Sequence, residues 1–464
     1  MLRSLSAVAL VVSQVADAAS ARADPKQELH EFLQTVQDMV VPNPTHAPLP
    51  GARADINSLA EVIGINVTSS LLSVQPVPID AYTDFAVCGI DLASGQDCNM
   101  TYLRANQGAS KGWIVRPDPT ETKAICNDGT PFAFQVFPGS TDNVMFWFQG
   151  GGGCYNYETC RAVPVATINF RPEDSGIFDF SNSENPVVKG GWSIIVNNYC
   201  SGDLFLGNTT MVTNSSDSEG ENSTIHFRGV QNTLEVFGYY DRHLQGLNET
   251  NPTSHRLSVS GCSAGSLGAQ IWNDYMVQNY RAERTLLDSY IGMLPEYFGV
   301  FVRNLGSCQV GEDILGWTEE MVAVCNAGGL YSFENYVYGP FLKSHVGYPS
   351  GYLGSFDDAT QKLFYVLSSS DDYESGVLSF APAFGESQKF TSTLFGILDN
   401  YTDINAASTY YLVDSAMHCF LPRESLYNAT LTTAPHGGEQ SMLEYIDAFL
   451  NVAVTPLYTE EDKL

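Results

Sequence analysis

A serine between two glycines carries the strongest chemical signal in the sequence. Gly261-Cys262-Ser263-Ala264-Gly265 follows a short apolar run and precedes an amphipathic helical stretch through Tyr275. In a strand–turn–helix setting, Gly-x-Ser-x-Gly is typical of a nucleophile elbow, which lifts the serine hydroxyl to a helix N-terminus. We therefore predict that Ser263 is a nucleophile. The alternative is a plain glycine-rich turn.

A second glycine-rich segment lies upstream, where the apolar run Val144–Phe148 ends in Gln149 and four glycines. Backbone N–H groups at glycine can approach a developing oxyanion because no Cβ is in the way. A phosphate-binding loop is excluded because no Lys-Ser/Thr follows, and no helix opens there as a dinucleotide site requires. The segment predicts an oxyanion hole, with a tight turn held by Cys154 as the alternative.

A serine hydroxyl needs a base, and the base needs an orienting acid. Three histidines follow Ser263, namely His345, His418 and His436. His418 comes just after the apolar run Thr409–Val413, where a loop can deliver a base. His345 leaves no room for a strand-borne acid, and His436 lies in Pro-His-Gly-Gly near the end. His418 is the predicted base, against the alternative of a packed or surface histidine.

The elements that must position these residues follow an alternating pattern. Apolar runs typical of strands buried on both faces alternate with helical stretches. The runs are 144–148, 192–196, 257–259, 286–293 and 409–413, and the helical stretches include 231–244 and 264–281. This pattern predicts a single α/β domain with a mostly parallel central sheet flanked by helices. The polar stretch 201–224 is predicted to be a glycosylated surface loop.

Composition excludes several classes of function. The 464 residues include 22 basic and 52 acidic side chains, a net charge of −30. Such a charge repels phosphate backbones, so we expect no nucleic-acid partner. Hydrophobic residues make up 44% of the chain, which excludes a disordered protein.

The first 23 residues are typical of a secretory signal peptide. Arg3 precedes the short apolar run Leu5–Val12, and Ala21-Arg22-Ala23 is a small-x-small cleavage site, with cleavage after Ala18 as an alternative. We find no later run of 18 or more uncharged apolar residues, so we expect no transmembrane span. The prediction is a secreted protein, extracellular or in a cell wall.

Cysteines and glycosylation signals agree with export. The ten cysteines are an even number and none forms a Cys-x-x-Cys pair, which predicts disulfides rather than a metal site and leaves the pairing open. Eight Asn-x-Ser/Thr sites predict a glycoprotein. They are Asn66, Asn99, Asn208, Asn214, Asn222, Asn248, Asn400 and Asn428.

Several blocks together resemble the pectin acetylesterase family, which includes the carboxylesterase Notum. They are the Gly-Cys-Ser-Ala-Gly elbow, the segments 148–156, 198–203, 226–229 and 356–361, and Met417-His418. The resemblance extends over about residues 125 to 425, with the blocks in the family's order. It implies an α/β-hydrolase-like fold and carboxylic ester hydrolysis by a serine, without cofactor or metal.

The resemblance also implies roles for further residues. The family's Asp-x-x-Gln motif falls on Asp358 and Gln361, which makes Asp358 the predicted acid, with Asp357 as runner-up. The family's oxyanion donors fall on the N–H groups of Gly151, Gly152 and Ala264. This sequence departs from many relatives in having glycine at 152, where they carry tryptophan.

These observations predict a secreted serine carboxylic ester hydrolase that uses Ser263, His418 and Asp358. It would remove acetyl or other acyl groups from an acetylated polysaccharide, an acylated glycoconjugate or a small ester, and act as a monomer. The predicted organisation is a signal peptide at 1–23, an N-terminal extension packed on the core at 24–120, and the esterase domain at 121–464. The alternatives are a catalytically silent, secreted binding glycoprotein on the same fold, and a hydrolase that uses Cys262 or Cys419.

Overall fold

The computed structural model describes most of the chain after residue 78. The described residues are 79–154, 170–213, 223–248, 256–294, 298–356, 358, 360–362, 390–415, 417–427 and 441–451. The predicted signal peptide, Asp357, His436 and the sequons at Asn66, Asn214, Asn222 and Asn428 lie outside them.

A large sheet forms the centre of the described fold. The strands are β1 Ala86–Gly89, β2 Trp113–Arg116, β3 Phe134–Phe137, β4 Val144–Phe148, β5 Ser193–Asn197, β6 Thr209–Thr213, β7 Ser223–Phe227, β8 Leu257–Cys262, β9 Arg284–Asp288, β10 Ser350–Ser355 and β11 Ser408–Val413. Nine of them form one sheet in the order β1-β2-β3-β5-β4-β8-β9-β10-β11. Only β3 runs antiparallel to its neighbours in this sheet, β2 and β5. The predicted mostly parallel sheet is therefore confirmed.

Helices flank this sheet. They are α1 Met100–Asn106, α2 Pro186–Lys189, α3 Gly229–Asn248, α4 Ala264–Tyr280, α5 Phe298–Asn304, α6 Ser307–Asp313, α7 Glu319–Asn326, α8 Phe333–Tyr336, α9 Tyr338–Ser344, α10 Phe390–Ile404 and α11 Met442–Asn451. Helices α3 and α4 lie where the sequence predicted helical stretches, at 231–244 and 264–281, so both predictions are confirmed. Among the described residues, no helix is long and apolar enough to cross a membrane.

The central strands bury side chains on both faces, which explains their continuous apolar runs. Along β4, Val144, Phe146 and Phe148 belong to one core cluster, while Met145 and Trp147 belong to another. This alternation is the two-residue period of a strand. Burying each such side chain stabilises the fold by about 2 kcal/mol. The same strands thereby fix the sheet edge where the site forms.

Most of the predicted strands are confirmed, with one correction. The run predicted over 286–293 is a strand only as far as Asp288. Ser289 then adopts a φ of +53°, which ends the extended conformation and turns the chain. Strands β1, β2, β3, β6, β7 and β10 were not among the predicted runs.

The prediction of a surface loop at 201–224 is wrong in two respects. Residues 201–207 are buried, and β6 and β7 form an antiparallel hairpin. The burial is possible because Asp203 accepts hydrogen bonds from the Ser201 hydroxyl and from the N–H groups of Phe205 and Gly229. Polar groups that would otherwise need water are satisfied within the protein.

The segment before residue 121 contributes β1 and β2 to the central sheet. The parallel pairing of these strands continues the sheet past β3. The division of the chain at residue 120 remains a prediction, since it rests on the sequence pattern alone.

The described cysteines are oxidised, as their even number predicted. The pairs are Cys88–Cys98, Cys126–Cys200, Cys262–Cys419 and Cys308–Cys325, and Cys154 is also disulfide-bonded. Three predicted sequons can be located in detail. Asn208 is exposed, Asn99 caps α1, and Asn400 hydrogen-bonds Glu334. Their glycosylation remains a prediction.

Candidate active site

Ser263 occupies a strained turn between β8 and α4. Its φ of +59° and ψ of −125° lie in a region that residues other than glycine rarely adopt. The flanking glycines make this turn possible, because a Cβ at Gly261 or Gly265 would overlap the carbonyl group of Phe148. Ser263 thus has the backbone geometry that a nucleophile elbow requires.

The turn places Ser263 at the N-terminus of a helix of 17 residues. Ala264 is the first residue of this helix, so its N–H group has no acceptor within the helix. The aligned peptide dipoles favour negative charge at this end. The arrangement suits an N–H group that must stabilise an oxyanion beside Ser263.

The glycine-rich loop after β4 packs directly against the elbow. A Cβ at Gly150 would lie 2.8 Å from the Cys262 carbonyl oxygen and 3.2 Å from the Ser263 Cβ. Gly152 has a φ of +78°, a conformation that strains any other residue. The N–H groups of Gly151 and Gly152 donate no hydrogen bond to a residue that the structure describes. The segments carrying all three predicted oxyanion donors therefore adjoin the elbow.

Two buried side chains hold this loop. The Tyr199 hydroxyl donates to the Gly152 carbonyl at 2.8 Å and accepts from the Leu204 N–H at 2.9 Å. Burial raises the pKa of Tyr199 well above its usual value, so the hydroxyl stays a donor. The Gln149 side-chain oxygen accepts from the Tyr199 N–H at 3.0 Å. Sequence reasoning missed the role of Tyr199, although its segment was one of the blocks that carried the family resemblance.

His418 and Asp358 form a close buried pair. The Nδ1 atom of His418 lies 3.0 Å and 2.8 Å from the two carboxylate oxygens of Asp358. A carboxylate on Nδ1 favours the tautomer with the proton there, which leaves the Nε2 lone pair free. Nε2 is buried and has no hydrogen-bond partner among the described residues. It is therefore available as a base.

Gln361 fixes the acid. Its backbone N–H donates to one Asp358 oxygen and its side-chain amide to the other, each at 2.8 Å. The same amide lies 3.3 Å from the hydroxyl oxygen of Tyr352. The Asp-x-x-Gln spacing therefore lets one residue orient both carboxylate oxygens toward the ring of His418.

A disulfide joins the two halves of the site. Cys262 immediately precedes Ser263, and Cys419 immediately follows His418. One ring nitrogen of His418 and both sulfur atoms lie within 4.8 Å of one another. Because both sulfurs are bonded to each other, neither is a free thiolate or a metal ligand. The alternative of a hydrolase using Cys262 or Cys419 is therefore wrong.

No hydrogen bond joins Ser263 Oγ to His418 Nε2 among the described contacts. In ligand-free hydrolases this bond is often long and tightens when substrate binds. His345, the earliest alternative base, lies elsewhere. Its ring stacks on Phe341 and its Nε2 is 4.0 Å from Asp274.

This chain is similar in sequence to known proteins. Residues 93–288 match the family model described as pectinacetylesterase. A curated relative, pectin acetylesterase 4 from Arabidopsis thaliana, is 28% identical over 177 residues, which are 36% of this chain and 40% of the relative. The match thus spans less than half of the relative's length. Two crystal forms of the Wnt deacylase Notum from Drosophila are 18% and 16% identical, with TM-scores of 0.48 and 0.47. They cover 72% of this chain and 91% and 92% of the solved chains.

The family model and the curated relative confirm the predicted resemblance to the pectin acetylesterase family. The matched residues 93–288 include the glycine-rich loop and the elbow with Ser263. Asp358 and His418 lie beyond this range. Their assignment rests on the sequence motifs and on the contacts described above.

Proposed function

We propose that the protein is a serine carboxylic ester hydrolase with Ser263 as nucleophile, His418 as general base and Asp358 as orienting acid. The observation that carries this proposal is the buried His418–Asp358 pair. The Nε2 atom of His418 has no hydrogen-bond partner among the described residues, and the neighbouring Cys419 is joined to the elbow by its disulfide with Cys262. The fold, the strained elbow and the family match support it independently.

The reaction follows from the positions of these groups. Ser263 Oγ attacks the ester carbonyl carbon while Nε2 of His418 takes the hydroxyl proton. Asp358 stabilises the resulting imidazolium through Nδ1. The imidazolium then protonates the leaving alcohol, and the acyl group stays on Ser263. Water, activated by the same base, releases the acid and restores the serine.

The negative charge on the tetrahedral intermediate needs donors. We assign this role to the N–H groups of Gly151, Gly152 and Ala264. One such donor is worth about 3 kcal/mol in the transition state. All three residues would therefore serve the reaction through their backbone.

The family match and the net charge support a proposal for the substrate class. The relative's name points to acetyl esters of a polysaccharide. A net charge of −30 disfavours a polyanionic substrate such as demethylated pectin. We therefore propose acetyl or other acyl esters of a neutral polysaccharide or glycoconjugate, or small esters, as substrates. The disulfides suit a secreted enzyme, since they persist in an oxidising compartment.

The test is hydrolysis of p-nitrophenyl acetate, butyrate and octanoate by the wild type and Ser263→Ala. We expect activity to fall at least about 10³-fold in the variant. The matched control is Ser258→Ala, because Ser258 lies on β8, the strand that precedes Ser263, and its buried hydroxyl has no hydrogen-bond partner among the described residues. The chain-length profile then separates a deacetylase from an esterase of longer acyl chains.

The alternative of a silent binding glycoprotein predicts a different result. It is motivated by the predicted glycans and by glycine at 152 in place of tryptophan, a position whose φ of +78° favours glycine. A well-folded wild type no faster than Ser263→Ala on all three esters would overturn the esterase proposal. It would favour the binding protein.

A further inference from the structure

The two halves of the candidate site start far apart in the sheet. Ser263 follows β8, whereas His418 follows β11, and β9 and β10 lie between these strands. The loop that carries His418 must therefore cross the ends of two strands. We call residues 417–421 the histidine loop.

Two side chains at the end of β9, those of Asp288 and Ser289, bind this loop. One carboxylate oxygen of Asp288 accepts from the N–H groups of Phe420 at 2.8 Å and Leu421 at 2.7 Å. The Ser289 hydroxyl accepts from the N–H of Cys419 at 2.9 Å and donates to the other Asp288 oxygen at 2.8 Å. The N–H groups of the three residues that follow His418 thus all donate to the side chains of Asp288 and Ser289.

The same dipeptide contacts the nucleophile segment. The Asp288 carbonyl oxygen accepts from the Ser263 N–H at 3.0 Å. Ser289 is fixed in turn because its N–H donates to the Leu353 carbonyl on β10 at 2.8 Å. Asp288 therefore binds the nucleophile residue through its backbone and the histidine loop through its side chain.

Burial makes these contacts rigid. Asp288 and Ser289 are fully buried, and so are the bonds that they form with the histidine loop. The loop residues Cys419, Phe420 and Leu421 are also buried. A buried N–H that loses its acceptor has no water to replace it, so each bond strongly constrains the loop.

We propose that Asp288 and Ser289 are positioning residues that hold His418 against the elbow, with the Cys262–Cys419 disulfide as a second link. The inference rests on the proposed esterase function, because it assigns His418 as the base. Among the described hydrogen bonds, neither side chain contacts the Ser263 hydroxyl or the ring of His418. Their effect passes through the histidine loop, and a small displacement of a base lowers turnover more than substrate binding.

The test compares Ser289→Ala with Ser258→Ala, which removes another buried serine hydroxyl that has no partner among the described residues. Active sites are titrated with a fluorophosphonate, so that kcat refers to intact sites only. For p-nitrophenyl acetate we expect kcat to fall about 10-fold in Ser289→Ala with KM changed less than twofold. Ser258→Ala should change neither constant.

Hydrogen exchange of the peptide over 417–422 gives a readout that does not depend on activity. We expect faster exchange in Ser289→Ala, and in Asp288→Asn if that variant folds. Both Cys262 and Cys419 should also be replaced by alanine in the Ser289→Ala background. We expect kcat to fall by more than the product of the separate losses, because neither the disulfide nor the Ser289 hydrogen bond then remains to hold the loop in place of the other.

Each outcome decides a separate point. Unchanged exchange in Ser289→Ala would overturn the link itself. Faster exchange with kcat within twofold of the control would overturn the positioning role. A wild type without Ser263-dependent turnover would instead overturn the proposed function and with it the catalytic part of this inference, while the exchange experiment would still decide the structural link.

Discussion

The ring of His418 has one nitrogen held by Asp358 and the other free of any described partner. Its Nε2 is buried and has no described partner, although an unsatisfied buried polar atom costs about 1–3 kcal/mol. Asp358 holds the opposite nitrogen, so the ring cannot turn away to satisfy Nε2 elsewhere. The free lone pair is the feature that a general base needs before substrate arrives.

Replacing the acid tests this assignment. Asp358→Asn keeps the size of the side chain but presents an amide to His418 Nδ1, which favours the wrong tautomer. We expect kcat for p-nitrophenyl acetate to fall roughly 10³- to 10⁴-fold. The matched control is Asp399→Asn, an exposed carboxylate that contacts Tyr410. A loss below tenfold would mean that Asp358 is not the acid.

Among the elements, the apolar runs predicted β4, β5, β8, β9 and β11, but neither the buried β3 nor β10. Strand β10 reads Ser-Gly-Tyr-Leu-Gly-Ser, and its two glycines remove the apolar pattern. Packing explains one of them, because a Cβ at Gly351 would come within 3 Å of Leu286 and Phe449. The requirement comes from residues distant in the chain, which no local pattern records.

The candidate site was likewise predicted from the local sequence only in part. The elbow with Ser263 follows from its local strand–turn–helix pattern, and the strained φ agrees with it. The acid depended on a family motif, because many carboxylates lie between Ser263 and His418. The Cys262–Cys419 pair spans 157 residues, and its pairing depends on strand order rather than on spacing.

The Tyr199 hydroxyl links the segment 198–203 to the glycine-rich loop, and this contact can be tested by mutation. Tyr199→Phe removes the hydroxyl that binds the Gly152 carbonyl and the Leu204 N–H. Leaving these groups unpaired loosens the glycine-rich loop that carries two of the proposed oxyanion donors, so we expect kcat to fall about 10-fold with a small change in KM. Steady-state kinetics on p-nitrophenyl acetate measures both constants.

Tyr240→Phe is the control for this prediction. The Tyr240 side chain is equally buried, but its hydroxyl has no partner among the described residues. Equal kcat values in the two variants would show that the Tyr199 hydroxyl does not support the glycine-rich loop.

For the whole molecule, two buried carboxyl groups link stability to pH. Burial raises the pKa of Asp203 and of Asp288 to about 6, against a usual value of 3.8. The folded state therefore binds protons more tightly than the unfolded state between these values. This contribution to stability is fully present below about pH 4 and is lost as pH rises through about 6.

Asp203 lies outside the proposed catalytic groups, so Asp203→Asn isolates one of these contributions. The free energy of unfolding should be measured by urea titration at pH 4.5 and 7.5 with the disulfides intact. We expect the wild type to gain about 2 kcal/mol relative to the variant on going from pH 7.5 to pH 4.5. The variant lacks the titrating group, so effects of all other carboxylates cancel in this difference. A difference that is flat, or that grows toward pH 7.5, would mean that Asp203 is ionised in the folded protein throughout this range and is stabilised by its three hydrogen bonds.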